Sequence, residues 1–284
     1  MNHVVVHHIT PALRPALADT RGCAGLRALC CGLLLGLGGC TSSLQSPVSV
    51  PEPAVEETVA PGRITLVRDG FSLTYDCENR TVVRYAYQLS ADTGSAKRPR
   101  GFELDPDLPA GCPTQFSAKG YSAVPGWDRG HLVPSNQMDH SSLAIRQAHY
   151  MSNIVPQAAR FNQGIWVQTE ELSECYRDLA PVQVYGGVVH GNTENDFFLE
   201  SHGIRTPDAF WKTVLTTDAH GQTRAISWYI PNQPTLQPLD RYIHSIAELE
   251  VLLGADTIGI EVSDAIKAQK PARTWPRPRD CDLG

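Results

Sequence analysis

Short runs that alternate hydrophobic and polar residues begin near residue 63 and predict an antiparallel hairpin. The segments ITLV at 64–67, FSLTYD at 71–76 and VVRYAYQLS at 82–90 are rich in aromatic and branched side chains, which is typical of half-buried strands. A polar turn at 77–80 separates the last two segments. These segments predict the opening strands of a sheet.

After these strands, the hydrophobic pattern predicts a long loop, then helices and further strands. Residues 91–127 are punctuated by Pro, Gly and Asp and predict a long loop, whereas helical signals follow at 141–150 and 159–179. Strand patterns return at 181–191, 210–218 and 223–231, and a last helix is predicted at 246–253. Because strands and helices are segregated rather than alternating, the fold class is α+β, with a central antiparallel sheet and flanking helices.

The first forty residues differ from the rest and predict an export signal. Basic residues precede a short apolar run at 28–37, which is well below the ~20 residues that a spanning helix needs. The LGGC sequence that ends at Cys40 resembles the bacterial lipobox, so residues 1–40 are a lipoprotein signal peptide and Cys40 is the expected lipidation site. A simple signal peptide or a short anchor is the alternative.

Residues 41–61 are rich in Ser, Pro and Glu and show no apolar period, which predicts a disordered tether. The globular domain is then 62–284. The protein is expected in the periplasm or at the cell surface, attached to a membrane through lipid on Cys40. Thr41 after this cysteine favours the outer membrane, and a homodimer is compatible with the sequence.

The overall charge constrains the kind of binding site. The formal net charge is -6, and a basic footprint is the usual electrostatic sign of a polyanion partner. Any nucleic-acid site must therefore be local. Such a site is suggested by one group of basic residues, namely Lys97, Arg98, Arg100, Arg129 and Arg160.

Four cysteines lie beyond the signal and the lipidation site, at Cys77, Cys112, Cys175 and Cys281. An even set in an exported protein predicts two disulfides, and the sequence leaves all three pairings open. A zinc site is disfavoured because no CxxC pair occurs. A thiol hydrolase built on Cys175 is disfavoured because this cysteine is expected to be bridged.

Three motifs close together in the sequence carry the candidate chemistry. They are WDRGH at 127–131, SNIVPQ at 152–157 and FNQGIW at 161–166, followed by Glu170. Phosphodiester hydrolysis needs an activated water, neutralised phosphoryl oxygens and a stabilised leaving oxygen. Histidine suits proton abstraction near neutral pH, so His131 is the candidate general base.

The other two requirements are matched by arginines and an amide. Arg100 and Arg129 offer planar forks that fit phosphate. Magnesium prefers oxygen ligands and keeps several waters, so Asn162 is the candidate metal ligand. Glu170 lies about two helical turns further on, from where it could accept hydrogen bonds from metal-bound waters.

Two further residues are assigned supporting roles. Asn153 is expected to lie near the site as an orienting and substrate-binding residue, and Asp128 to support the local backbone and His131. Simpler explanations exist for some site residues: Arg129 as a surface ion pair, Asn162 as a helix N-cap and Trp166 as a core residue.

In this order and spacing, the motifs closely resemble those of the DNA/RNA non-specific endonuclease family. The resemblance extends from about residue 71 to 253, and Arg100 stands where the family has a phosphate-binding arginine. It implies a ββα-metal core, in which the first of two strands delivers His131 and the first turn of a helix carries Asn162. It further implies cleavage of DNA and RNA to 5'-phosphate products with one Mg²⁺, for which Mn²⁺ is a possible substitute.

His131, His140 and His149 recur every nine residues, which invites a second metal hypothesis. This spacing is not among the short spacings typical of zinc, so the hypothesis is rejected, and the last two histidines are predicted to be solvated. The competing functional hypothesis is a non-catalytic surface lipoprotein that binds nucleic acid or a protein. The intact set of His131, Asn162 and Glu170 favours the enzyme.

Overall fold

The main scaffold of the computed structural model, which describes residues 62–281 and 283, is an antiparallel sheet. In chain order the strands are β1 Arg63–Val67, β2 Phe71–Asp76, β3 Thr81–Leu89, β4 Trp127–His131, β5 Ile154–Ala158, β6 Val182–Val189, β7 Ala209–Thr217, β8 Thr223–Pro231 and β9 Ile243–His244. Seven of them pair in the order β1-β2-β3-β6-β7-β8-β9, and β4 pairs with β5 separately. All of these pairings are antiparallel. The predicted strands and the α+β class are confirmed.

Within residues 62–281, six α-helices lie between or after these strands. They are α1 Ser142–Ala148, α2 Val167–Arg177, α3 Leu199–His202, α4 Ile246–Leu253, α5 Ala255–Ile258 and α6 Asp264–Lys267. A π-helical segment, Phe161–Trp166, runs directly into α2. The predicted helices at 141–150, 159–179 and 246–253 therefore exist, but the second begins with an unforeseen wide turn.

The sheet is covered on both faces because side chains alternate along its central strands. On β7, Phe210 and Val214 belong to a large core that also contains Trp166 of the π-helical segment. Trp211 and Leu215 face the other way, into a second core that includes residues of α4 and α5. Apolar burial on both faces fixes the sheet as the rigid layer beneath α2.

The β4–β5 pair forms the platform for the candidate site. Its register places Trp127 opposite Ala158 and His131 opposite Ile154. Gly130 is buried, and a Cβ atom at this position would overlap the side chain of Gln157. Only glycine therefore lets the two strands approach at this point.

Among the described cysteines, two disulfides join distant parts of the chain, which confirms the predicted number and selects one pairing. Cys77 is bonded to Cys112, and Cys175 is bonded to Cys281. The first ties the turn between β2 and β3 to the long loop, and the second ties α2 to the C-terminal segment. Neither the zinc site nor the thiol hydrolase remains compatible with these bonds.

The predicted signal peptide, its lipidation site Cys40 and the tether at 41–61 lie outside the described residues. Within the part that is described, none of the helices has both the length and the apolar character needed to cross a bilayer. All of the described residues belong to one compact unit.

Candidate active site

The end of β4 delivers His131, and a buried amide fixes the turn that follows it. The Oδ1 atom of Asn153 accepts a hydrogen bond from the Val133 backbone N–H at 3.0 Å. Its Nδ2 donates to the backbone oxygens of Val133 and Ala148 at 2.9 and 2.8 Å. Asn153 therefore has the predicted orienting position. It is fully buried, so it lies behind the site and offers no surface for direct substrate contact.

The His131 ring is half-buried among other rings. Its centroid lies 5.3 Å from that of Phe102 and 4.9 Å from that of His149. The Nε2 atom is buried and has no hydrogen-bond partner among the described residues, so the ring meets solvent through the edge that carries Nδ1. Burial, followed by the charges of His149, Arg98 and Arg129, holds the pKa of His131 well below its ordinary value. The imidazole is therefore neutral and able to accept a proton.

The prediction that His149 is solvated is wrong, because this residue is only 2% exposed. It follows the end of α1, and the turn after that helix directs its ring inward against Phe102 and His131. His140, in contrast, is partly exposed, and its Nε2 lies 3.5 Å from Asp69 Oδ1. His140 and His149 therefore lie in different environments, although both follow the regular nine-residue spacing.

The arginines near His131 are held in different ways. The Arg129 guanidinium lies 4.2 Å from the Phe102 ring centroid and donates a 2.7 Å hydrogen bond to the Ala118 backbone oxygen. No ion pair involves it within the described range, so the surface ion-pair explanation fails. Arg98 donates from Nε to His149 Nε2 at 3.3 Å. Arg100 is exposed, and its side chain forms no hydrogen bond with another described residue.

Asp128 controls the orientation of Asn162. The Asn162 Nδ2 and the Gln163 Nε2 both donate to Asp128 Oδ2, at 2.9 and 2.8 Å. Only the NH₂ group of an amide can donate to a carboxylate, so Asn162 Oδ1 is left as the free acceptor. Asp128 supports Asn162, which differs from its predicted support of His131. The N-cap explanation is also wrong, because Asn162 is the second residue of the helical segment, whose N-cap is Arg160.

The π-helical segment places Asn162 and Glu170 on one continuous helix. Its wider turn changes the angle between the two side chains from that of a regular α-helix, and such segments are frequent at functional sites. Trp166 within it is fully buried, as expected for a core residue. The side chain of Glu170, at the start of α2, remains 18% exposed.

A buried lysine on β7 lies beneath Glu170. Lys212 Nζ is 3.9 Å from Glu170 Oε1, 2.9 Å from Thr169 Oγ1 and 3.9 Å from the Trp166 ring centroid. Burial raises the pKa of Glu170, and the charges of Lys212 and Arg98 oppose that shift. Burial also lowers the pKa of Lys212, to about 8, against the influence of Glu170.

The donor set fits a hard cation. Asn162 presents a free amide oxygen, and Glu170 lies further along the same helix, so the described residues offer oxygen ligands of the type that magnesium prefers. No cluster of three or more His, Cys, Asp or Glu side chains suited to a metal occurs in the described part of the chain. A cation here would thus keep most of its waters, as magnesium commonly does.

A groove of about 690 Å³ opens beside the Asn162 helix. Arg160, Gln163 and Gln168 line one side, and the segment that includes Leu236 and Gln237 lines the other. The exposed Arg160 places a positively charged side chain in this groove.

Sequence reasoning missed three residues that shape the site. Phe102 contacts His131, His149 and Arg129, whereas Lys212 supports Glu170 from another strand. His149 was noticed but placed in solvent. The one available signal was the lysine itself, since a charge inside the apolar run FWKTVL is unusual unless it has a buried partner.

The antiparallel pair of β4 and β5, the helix that follows it, and the His131 and Asn162 that these elements carry define the class as a ββα-metal nuclease fold. The solved EndoG/EndoGI complex contains a chain of the same fold, with a TM-score of 0.58 at 18% identity over 72% of this chain and 91% of that one. The sequence profile of the DNA/RNA non-specific endonuclease family matches residues 54–268. The protein belongs to this family and is an endonuclease.

Curated relatives are similar over most of their length. The chain is 28% identical over 228 residues to a nuclease of Nostoc sp., covering 72% of this chain and 77% of that protein. It is 30% identical over 254 residues to the mitochondrial nuclease EXOG of Homo sapiens, covering 81% and 67%. It is 27% identical over 166 residues to the nuclease of Serratia marcescens, covering 55% of this chain and 60% of that protein.

Proposed function

We propose that the protein is a magnesium-dependent endonuclease that hydrolyses DNA and RNA with little regard for sequence and leaves 5'-phosphates. The observation that carries the proposal is that the ββα unit carries both a candidate base and a candidate metal ligand. A neutral His131 presents its Nδ1 edge to solvent, and Asn162 has its amide oxygen freed by Asp128.

His131 accepts the proton of the attacking water at Nδ1. Its lowered pKa keeps the imidazole unprotonated before substrate binds. The negative charge of a bound phosphate then favours the protonated form, which strengthens the base when it is needed. Phe102 and His149 keep the ring in place during this transfer.

Arg129 and Arg100 bind phosphoryl oxygens. The Phe102 stack and the bond to the Ala118 backbone fix the Arg129 guanidinium in one orientation, whereas the exposed Arg100 can adjust to the substrate. Contacts to phosphate position a strand without reading its bases. Tolerance of sequence, and of both DNA and RNA, follows from this.

Asn162 Oδ1 would hold the divalent cation, and the Glu170 carboxylate would accept hydrogen bonds from its waters. A bound Mg²⁺ neutralises charge on the phosphoryl and leaving oxygens. Mn²⁺ has the same preference for oxygen ligands and is the expected substitute. Lys212 keeps Glu170 in place from below.

The test uses purified protein with supercoiled plasmid and with a structured RNA, in Mg²⁺ or in chelator. We expect nicking of the plasmid and cleavage of the RNA in Mg²⁺, none in chelator, and products that a 5'-phosphate-dependent exonuclease degrades. His131→Ala is the matched inactive control. Binding of both polymers without turnover at any pH from 6 to 9 would instead support the non-catalytic binding protein.

We further propose that Cys40 is lipidated and anchors the exported enzyme to a membrane, with the segment at 41–61 joining the anchor to the enzyme domain. The support is the sequence pattern described above. Stable anchoring requires more than one acyl chain. Cys40→Ser should move the protein from the membrane to the soluble fraction, and a wild-type protein that is already soluble would overturn this proposal.

A further inference from the structure

The hydrogen bonds of His149 determine its protonation state. Its Nδ1 lies 2.8 Å from the backbone oxygen of Ile145, which can only accept, so Nδ1 carries the hydrogen. Its Nε2 faces the Nε–H of Arg98 at 3.3 Å and must therefore be the unprotonated acceptor. Burial also lowers the pKa of this imidazole. His149 is thus a neutral ring with one backbone contact and one arginine contact.

Arg98 lies near His131 through this anchor, because the His149 ring that it binds is 4.9 Å from the His131 ring between centroids. Its charge acts on both His131 and Glu170, which lie on different elements of the ββα unit. The guanidinium has five N–H donors, and only the one on Nε has a hydrogen-bond partner among the described residues. No carboxylate pairs with it in that part of the chain. Most of its donors are therefore available to an anion.

An anchor matters here because Arg98 is otherwise exposed. A free arginine side chain loses much of its rotamer entropy when it is ordered. A bond at Nε restricts the guanidinium and leaves both terminal nitrogens without a hydrogen-bond partner among the described residues. Pre-ordering of this kind reduces the free-energy cost of binding a ligand.

We propose that Arg98 binds a phosphate of the substrate strand beside His131, and that His149 is the positioning residue that holds Arg98 there. The proposal rests on the proposed nuclease function and adds two residues to it. His149 does not itself touch the substrate: its contribution to binding the strand is made through Arg98, separately from its packing against the His131 ring.

A double-mutant cycle of Arg98→Ala and His149→Phe tests the proposal. Phenylalanine keeps a ring against Phe102 and His131 but removes the acceptor. Affinity is measured by fluorescence anisotropy with a labelled 12-nucleotide DNA strand in chelator, where no cleavage occurs, across a series of salt concentrations. Each single variant should bind about 10-fold more weakly, as expected when a charge-assisted contact is lost. The double variant should bind no more weakly than Arg98→Ala.

The salt series identifies the lost contact as a phosphate. Each such contact contributes about 0.7 to the slope of log affinity against log salt for a single strand. Arg98→Ala should reduce the slope by about this amount. Lys270→Ala is the matched control, because this exposed lysine pairs with Glu248 of α4 on the opposite face of the sheet, and its slope should equal that of wild type.

His149→Gln provides the rescue, because its side-chain oxygen can accept from Arg98 near the position of Nε2. It should restore most of the affinity lost in His149→Phe, which a merely structural role of the ring would not explain. Additive losses in the cycle, or a wild-type slope in Arg98→Ala, would overturn the proposal. Wild-type cleavage of plasmid is scored separately, so failure of the nuclease function and failure of this contact are distinguishable.

Discussion

His131 depends on neighbours that its own motif does not contain. Phe102 and His149 pack against the ring, and Arg98 and Arg129 add positive charge near it. Burial and these charges favour the neutral imidazole, which is the form that a general base requires.

Replacement of His131 by Ala should reduce kcat by roughly 10² to 10⁴, the usual contribution of a general base, with substrate affinity nearly unchanged. The pH profile gives a second readout. Because a base is inactive only when protonated and the pKa of His131 is lowered, wild-type kcat/KM should stay level down to below pH 6.5. A fully active variant, or a wild-type acid limb above pH 6.5, would contradict this role.

Under the proposed function, Asn162 binds the metal ion and Glu170 orders the metal-bound water. Asn162→Ala removes the proposed ligand, so activity should collapse and recover poorly at high Mg²⁺. Glu170→Ala should lose about 10- to 100-fold in metal affinity or activity and be partly rescued by more metal. Activity and Mn²⁺ binding, the latter by electron paramagnetic resonance, are measured against metal concentration. A dead Glu170 variant beside a responsive Asn162 variant would reverse the two roles.

At the level of elements, the site requires β4, β5 and the helix after them to approach closely. Gly130 permits this approach because its missing side chain accommodates Gln157, whose Nε2 also donates to the His131 backbone oxygen at 3.5 Å. The π-helical segment then widens the helix at Asn162. The position of the candidate catalytic groups is therefore a property of three elements together.

Gly130→Ala should destabilise the protein by about 1 to 3 kcal/mol, the usual cost of overpacking, and should lower activity because the strand that carries His131 must shift. Thermal unfolding and plasmid nicking measure the two effects. Gly120→Ala is the matched control, since a Cβ at that exposed position meets no atom within 4 Å. Equal stability of the two variants would show that the close approach at Gly130 does not matter.

On the scale of the whole molecule, two covalent links constrain the scaffold. They join residues 35 and 106 positions apart in the sequence. The second link reaches α2, the helix that carries Glu170, so it connects the C-terminal segment to the candidate site. Unfolded-state entropy is reduced more by the longer loop.

Removal of either disulfide should cost about 2 to 5 kcal/mol of stability. Loop-closure entropy predicts that Cys175→Ser with Cys281→Ser costs about 1 kcal/mol more than Cys77→Ser with Cys112→Ser. Reductant should likewise lower the melting temperature of wild type well before it affects cleavage under native conditions. Free thiol at all four positions of the unreduced, denatured protein is the contrary result.

The sequence by itself determined most of the elements and the identity of the core motifs. Period-two alternation predicted β1, β2 and β3 because half-buried strands impose that period locally. The order of WDRGH, SNIVPQ and FNQGIW indicated His131 and Asn162 because a base and an oxygen ligand are what phosphodiester hydrolysis requires and the motifs resemble those of the family. Such signals are contained within short segments of chain.

Only the tertiary structure decided how the site is supported. His149 meets His131 after a helix and a turn, Lys212 reaches Glu170 from a distant strand, and the cysteines pair across the domain. Asp128 orients Asn162 although 33 residues lie between them in the chain. These contacts depend on the packing of separate elements, and the local periodicity of a sequence carries no information about which distant side chain will fill a given space.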